Sequence, residues 1–336
     1  MLAVDASLLV DDPLAAGPVA RAMEDAGFDG VYTFEGRHDP FLPLLAAAAG
    51  STRLTLSTGI AVAFARNPML LANLGYDLQL ASRGRFILGL GSQIKPHIEK
   101  RFSATWSQPA ARMREMVLAI RSIWAAWQDG SRLDFRGQFY THTLMTPFFD
   151  PGPNPWGPPP IYVAAVGPAM TEVAGEVGDG MLVHPFNTPE FVAADLLPAL
   201  ARGRERAGRP VDSLSLSCQV IVALGDTAAE RAESLAQARA QVSFYASTPA
   251  YRPVLERHGW GDLQPRLNVL SKEGRWQEMS AMLGQELLDA VVVQGDAEEA
   301  GARIRARCAN WCRRVSPVVY GGGTDGPARL VRAIKG

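Results

Sequence analysis

The residues able to do chemistry gather in a few short stretches, each following an apolar run. "FEGRHDPF" places Glu35, Arg37, His38 and Asp39 within five positions. Histidine titrates near neutral pH and beside a carboxylate can pass a proton. The same residues also suit a polar loop in which Asp39-Pro40 opens a helix. "GLGSQIKPHIEK" supplies Gly89, Gly91, Ser92, Gln93, Lys95 and His97. It is not the G-x-G-x-x-G dinucleotide fingerprint, because Ile94 stands where the third glycine belongs, and a tight turn explains the two glycines equally well. Lys95 can meet a phosphate or a carboxylate. "AAVGPAM" leaves an apolar run and opens a helix at Gly167-Pro168, where proline suits the first turn. Small residues there leave backbone N–H groups accessible, so Ala165, Val166, Gly167, Pro168 and Ala169 read as a phosphate cradle. "LVHPFNTP" adds His184, either a packed and satisfied residue or one that orients a substrate.

A further stretch raises a different question. "LTLSTGIAVAFARNP", Leu54 to Pro68, reads as a buried strand that stays apolar past Gly59-Ile60, with no turn signal until Asn67-Pro68. An apolar segment at a strand end must be covered. Either an inserted loop covers it or a planar ring system lies on it, with Gly59 letting the backbone turn abruptly or approach closely.

Other chemistries lack their signatures. There is no HExxH, no carboxylate cluster with ligand spacing, no G-x-S-x-G elbow and no P-loop. Three cysteines are too few for a disulfide framework; Cys308 and Cys312 lie a helical turn apart but have no histidine nearby, so no metal is expected. A net charge of -1 with 20% charged residues leaves no footprint for nucleic acid or an anionic membrane. The Arg202 to Arg209 cluster reads as a solvated helix end. No apolar run reaches the ~18 residues of a transmembrane helix, and no secretory signal is visible. A cytoplasmic, reducing setting is the default expectation.

The elements that must position these residues alternate. Strands are expected at Leu2–Leu9, Gly30–Phe34, Arg53–Gly59, Arg85–Gly91, Ile161–Val166, Gly180–His184, Leu214–Leu224 and Val315–Tyr320. Helices are expected at Pro13–Ala26, Leu42–Ala49, Pro68–Ser82, Ala110–Gln128, Met170–Val177, Pro189–Ala207, Thr227–Tyr245 and Ala297–Trp311, with a short one at the end. Leu288–Gln294 suits a short strand or a helix end. Sustained strand–helix alternation argues for a parallel sheet. Eight units without a linker favour an α/β fold closed into a single (β/α)₈ TIM barrel over residues 1–336, against an open doubly wound sheet. Two segments break the rhythm. Residues 129–160, after strand four, hold a hairpin-like "LDFRGQFYTHT" and a stretch too rich in proline for central strands or helices. Residues 251–286, before the last strand, read as a cap-like insertion. In such a barrel the active site lies at the C-terminal strand ends, where the chemically able stretches fall.

At this point the chain resembles the luciferase-like monooxygenase superfamily, and within it the coenzyme F420-dependent oxidoreductases. The resemblance covers nearly the whole chain. It rests on the order and spacing of "AMEDAGFDGVYTFEGRHDPFLPL", "RLTLSTGIAVAFARNPMLLA", "SRGRFILGLGSQ", "RMREMVLAIRSIW", "FRGQFY" and "PPIYVAAVGPAMTEVAGEVGDGMLVHPF". It implies a non-prolyl cis peptide at Gly59-Ile60, a bulge backing the flavin or deazaflavin ring, so that the apolar loop from Gly59, Ile60 and Ala61 onward walls the ring pocket. It implies cofactor contacts from Ser92 and Gln93 and phosphate binding at Val166 to Ala169. Many relatives carry "EHH" or "DH" after strand two. Here Glu35-Gly36-Arg37-His38 stands in that place, which assigns proton transfer to His38 beside Glu35. The glutamate acid that some sugar-phosphate and alcohol dehydrogenases carry after strand four is replaced by Gln93-Ile94.

The implied activity is hydride transfer between the deazaflavin F420 and a small organic substrate, oriented by Lys95, His97 or His184. Trp106, Tyr140, Phe148, Trp156 and Trp260 suggest an apolar, bulky substrate capped by the two insertions. An FMN-dependent monooxygenase fed by a partner flavin reductase is the alternative, and a non-catalytic flavin-binding protein a third reading. The resemblance also implies a homodimer.

Overall fold

The structure, a computed structural model, describes residues 2–336. Eight strands form the ring: β1 Ala3–Ser7, β2 Gly30–Thr33, β3 Thr55–Thr58, β4 Phe86–Gly91, β5 Ile161–Ala165, β6 Gly180–Val183, β7 Ser215–Leu224 and β8 Arg314–Gly321. Each runs parallel to the next, and β8 pairs back onto β1 through Ala3↔Arg314 and Val4↔Val315. The expected (β/α)₈ barrel is therefore closed. Such strands are covered on both faces, which is why β2 and β4 are buried along their whole length and read as unbroken apolar runs. The helix Pro109–Asp129 buries Met113, Met116, Val117, Ile120, Ile123, Trp124 and Trp127, the stripe its sequence spacing predicts.

The segment Leu288–Gln294 is both helix and strand. The helix Gln285–Val291 runs into Val292–Gly295, which pairs with the C-terminal half of β7 from Ile221↔Val292. β7 is ten residues long, so the same edge holds β6 through Ser215 to Cys218 and this extra strand beyond.

The insertions differ from expectation. Phe135–Arg136 and Thr141–His142 do form a hairpin. The proline-rich remainder, however, does not cap the strand ends. Asn154 is pinned to the outer helix Pro68–Ala81, its N–H donating to the Tyr76 hydroxyl at 2.8 Å. Trp156 packs where a Gly84 side chain would be, just before β4, and so lies at the opposite end of the barrel from the strand C-termini. Residues 251–286 form helices at Arg252–Glu256, Leu263–Lys272 and Trp276–Ala281. Gln264 and Asn268 donate to the Ser247 carbonyl at 2.9 and 3.1 Å, fastening the segment to the helix Ala228–Ser247. Tyr251, at its start, reaches the barrel mouth. No helix among the described residues is long and apolar enough to cross a membrane.

Candidate functional site

The mouth is built first around the end of β3. The Gly59–Ile60 peptide bond is cis. Register shows one extra residue there: Leu56↔Phe86 and Ala61↔Leu90 bracket five steps along one chain against four along β4. This is a bulge. β4 accommodates it through its two glycines. A Cβ on Gly89 would stand 1.8 Å from the Thr58 carbonyl oxygen, and one on Gly91 would stand 2.6 Å from the Ile60 side chain. The Thr58 hydroxyl donates to Gly89 O at 2.7 Å and accepts from Gly89 N–H at 2.9 Å, replacing ladder bonds the bulge breaks. The G-x-G of this chain is thus neither a nucleotide loop nor a turn; both glycines lie within the strand and permit close approach.

The apolar segment that follows is covered by protein. Ala61, Val62 and Ala63 are fully buried, and Phe64 is buried against Trp106, ring centroids 5.8 Å apart, with the Arg112 guanidinium 4.8 Å above it. Arg112 in turn donates to the Tyr140 hydroxyl at 2.8 Å. Gly59 and Ile60 stay partly exposed at the mouth, while Ala61 to Phe64 are buried in the core, so only the first two residues of the expected ring wall are open to a ligand here.

Glu35 explains why the segment holds its shape. Its Oε2 accepts from Val62 N–H at 2.7 Å and from Arg66 Nη1 at 2.5 Å, and Arg66 Nη2 reaches Asp39 at 2.9 Å. The backbone adds Glu35 N–H to Ile60 O at 3.0 Å and Gly59 N–H to Thr33 O at 2.6 Å. His38 stands away from this network, half exposed, with Nε2 3.9 Å from Asp11. After β4, Gln93 takes a left-handed backbone and accepts from Ile94 N–H through its own side chain at 3.0 Å. Ser92 donates to Gln93 O at 3.1 Å. Lys95 and His97 are exposed, Lys95 being 3.8 Å from Glu99. Arg101 crosses from this loop to Gly36 O at 2.5 Å, tying the β2 and β4 loops together.

After β5 the helix Pro168–Val177 begins with Pro168 at its first turn and no side-chain cap. Gly167 has nothing within 4 Å of its Cβ position, while Ala165 is buried and Val166 partly exposed. Free N–H groups beside open space are what an anion needs.

After β6, His184 enters an aromatic cluster that sequence reasoning missed. Its ring stacks on Tyr251 at 4.2 Å and meets Tyr245 edge-on at 4.7 Å. Nε2 lies 3.0 Å from the Tyr251 hydroxyl, and Nδ1 accepts from Phe186 N–H at 3.2 Å. Burial without a charged partner pushes the His184 pKa down to about 3. Burial also pushes Tyr245 up to about 12 and raises Tyr251 further, with the Tyr245 phenol adding to it. Tyr32, whose ring fills the place of a Gly59 side chain, is raised by burial and then by Asp5 and Tyr245, against hydrogen bonds with Ser7 and Gln219. Tyr245 and Tyr251 lie six residues apart at the end of one helix and the turn after it, but Tyr32 and His184 sit far away in the chain, so local spacing does not reveal the cluster. The structure does not bring His184 into contact with Lys95 or His97. Trp260 stacks on His258 rather than joining the cluster, and Phe148 is exposed beside Phe149. Among the described residues no group of three or more His, Cys, Asp or Glu side chains has metal-holding geometry, and all three cysteines are free.

A closed barrel with this bulge and these strand-end loops matches a known family. The chain belongs to the luciferase-like monooxygenase family, whose model matches residues 10–312. It is 53% identical over 303 residues to an uncharacterised protein of Mycobacterium tuberculosis, covering 90% of this chain and 89% of that one. It is 29% identical over 306 residues to a 5,10-methylenetetrahydromethanopterin reductase of Methanolobus tindarius, covering 88% and 86%. Among solved structures, the coenzyme F420-dependent tetrahydromethanopterin reductase of Methanopyrus kandleri superposes with a TM-score of 0.79 at 21% identity, covering 99% of this chain and 97% of that chain.

Proposed function

We propose that this protein is a coenzyme F420-dependent oxidoreductase acting on an apolar organic substrate. The observation that carries the reading is the uncapped helix start at Gly167-Pro168, open at its glycine, on the same barrel mouth as the partly exposed Gly59-Ile60 bulge. One feature suits a phosphate and the other the face of a flat ring. Curated relatives named as F420-dependent support the deazaflavin over FMN. When bound, the deazaflavin would supply a hydride-accepting and hydride-donating ring carbon; the chain supplies position and electrostatics. Val166 to Ala169 hold the phosphate, Ser92 and Gln93 lie against the ring, and His38 exchanges a proton with the substrate. Glu35 is a positioning residue, since its carboxylate is engaged by Val62 N–H and Arg66. Lys95 and His97 meet substrate from the exposed rim. A homodimer completes the reading.

The test is a titration of the purified protein with F420 and with FMN, oxidised and reduced, followed by ring absorbance and fluorescence. Saturable F420 binding with FMN ignored supports the proposal. Preference for reduced FMN moves the reading to a two-component monooxygenase with a reductase partner. Binding of neither ligand at micromolar concentration removes the phosphate assignment and the function with it.

A further inference from the structure

The hydrogen bonds around His184 leave one donor at the barrel mouth without an acceptor. Phe186 N–H occupies the Nδ1 lone pair at 3.2 Å. The neutral imidazole therefore carries its proton on Nε2, and Nε2–H donates to the Tyr251 oxygen 3.0 Å away. Tyr251 accepts, so its own O–H hydrogen is left over. Among the described residues the Tyr251 hydroxyl has no other hydrogen-bond partner. His184 directly follows the C-terminal end of β6, which puts the leftover donor at the barrel mouth, and His184, Tyr245 and Tyr251 are all partly exposed. A largely desolvated donor without an acceptor is costly, and a bound group relieves that cost.

The chemistry of that group follows from what surrounds it. His184 has no carboxylate at ion-pair distance among the described residues, and Phe186, Tyr245 and Tyr251 complete the cluster. Neither an anion nor a cation finds a counter-charge there, and burying an unpaired charge is strongly disfavoured. A neutral oxygen acceptor flanked by apolar surface fits. We propose that Tyr251 is a substrate-contacting residue whose hydroxyl donates to the carbonyl oxygen of a neutral ketone or aldehyde, and that His184 is the positioning residue that sets the direction of that donation. The inference deepens the hydride-transfer reading and rests on it for its chemical consequence. A carbonyl held by a donor is polarised, and its carbon is the better hydride acceptor. The hydrogen bond itself does not depend on that reading. Tyr251 also gives residues 251–286 a defined part in specificity, since it stacks on His184 and hydrogen-bonds to it.

The experiment uses cyclohexanone carrying ¹³C at its carbonyl, titrated into the full-length protein with and without F420. With the wild type, the carbonyl resonance moves downfield on saturable binding, the signature of a donated hydrogen bond. Tyr251→Phe weakens binding about tenfold and removes the downfield movement, with the F420 titration unchanged; its thermal midpoint falls, because His184 Nε2–H loses its acceptor. His184→Gln, whose amide N–H stands in for Nε2–H, retains the downfield movement. His184→Phe, which fills the space without donating, diminishes it. Equal carbonyl shifts in wild type and Tyr251→Phe overturn the proposal, as does the absence of saturable cyclohexanone binding to the wild type. A Tyr251-dependent shift in a protein that ignores F420 upholds this inference while removing the proposed cofactor, so the two readings fail separately.

Discussion

Removing the Glu35 carboxylate tests how the bulge at the barrel mouth is held. Its side chain is 7% exposed and pairs with Arg66, itself 14% exposed, at 2.5 Å. It also accepts from the N–H of Val62, a residue with no exposed surface. Glu35→Ala orphans that N–H, which costs about 1–3 kcal/mol. It also strips Arg66 of its nearer partner. Stranding a buried charge completely costs about 3–5 kcal/mol, but Arg66 keeps Asp39 at 2.9 Å, in a position 41% exposed, so less than that full cost applies. The expected loss is about 3 kcal/mol in all. Glu35→Gln keeps an oxygen for Val62 N–H and is expected to lose about 1 kcal/mol. Urea unfolding at neutral pH, followed by tryptophan fluorescence, gives the ranking. Adding Arg66→Met to Glu35→Ala removes the stranded charge, so the double variant loses less than the sum of the singles. F420 titration of the same proteins reads the mouth directly: Glu35→Ala weakens binding more than Glu35→Gln does. A Glu35→Ala protein within about 0.5 kcal/mol of wild type would refute the assignment of Glu35 as the clamp on Ala61 to Arg66.

Two further outcomes follow from the structure. His184 has a pKa near 3 in the folded state, below the ordinary histidine value, so as pH falls the unfolded chain takes up the proton first and stability drops, by up to about 1.4 kcal/mol per pH unit until the folded ring also titrates. Between pH 6 and pH 4.5, wild type should lose about 1.9 kcal/mol more than His184→Gln; parallel urea-stability curves for the two proteins would rule this out. On the outside of the barrel, Leu70, Leu80, Phe148 and Phe149 are exposed, and the two phenylalanines line a cleft with Asn73, Tyr76, Asp77 and Trp127. Exposed apolar side chains of this kind suit contact with a second copy: on the proposed dimer reading, sedimentation equilibrium finds a dimer for the wild type and a monomer for Phe148→Glu with Phe149→Glu, whereas a monomeric wild type contradicts that reading.

The barrel was legible because each β/α unit carries its own signals. Gly30 to Phe34 and Arg85 to Gly91 are short apolar runs, and the stripe from Met113 to Trp127 has helical spacing; local period and turn chemistry suffice for these. The helix start at Gly167-Pro168 was legible for a similar reason, since a helix opening with Pro168 at its first turn is a local event. The apolar run after Gly59 was legible as an oddity, but what covers it was not. Only the packed structure shows that Trp106 and Arg112, far along the chain, cover Phe64. The insertion Asp129 to Pro160 likewise gave no sign of running to the far end of the barrel, because its destination is set by Tyr76, Gln128 and Gly84 on other elements.

The sequence by itself determined the alternation of strands and helices, the closure it implies, and the strand ends at which polar residues collect. Tertiary structure alone decided that Gly89 and Gly91 serve the bulge, that Glu35 clamps it, and that Tyr251 and Tyr245 meet His184. The reason is physical. Periodicity and capping act between residues a few positions apart, whereas a hydrogen bond such as that between His184 and Tyr251, separated by 67 positions, exists only once the barrel has brought its strand ends together.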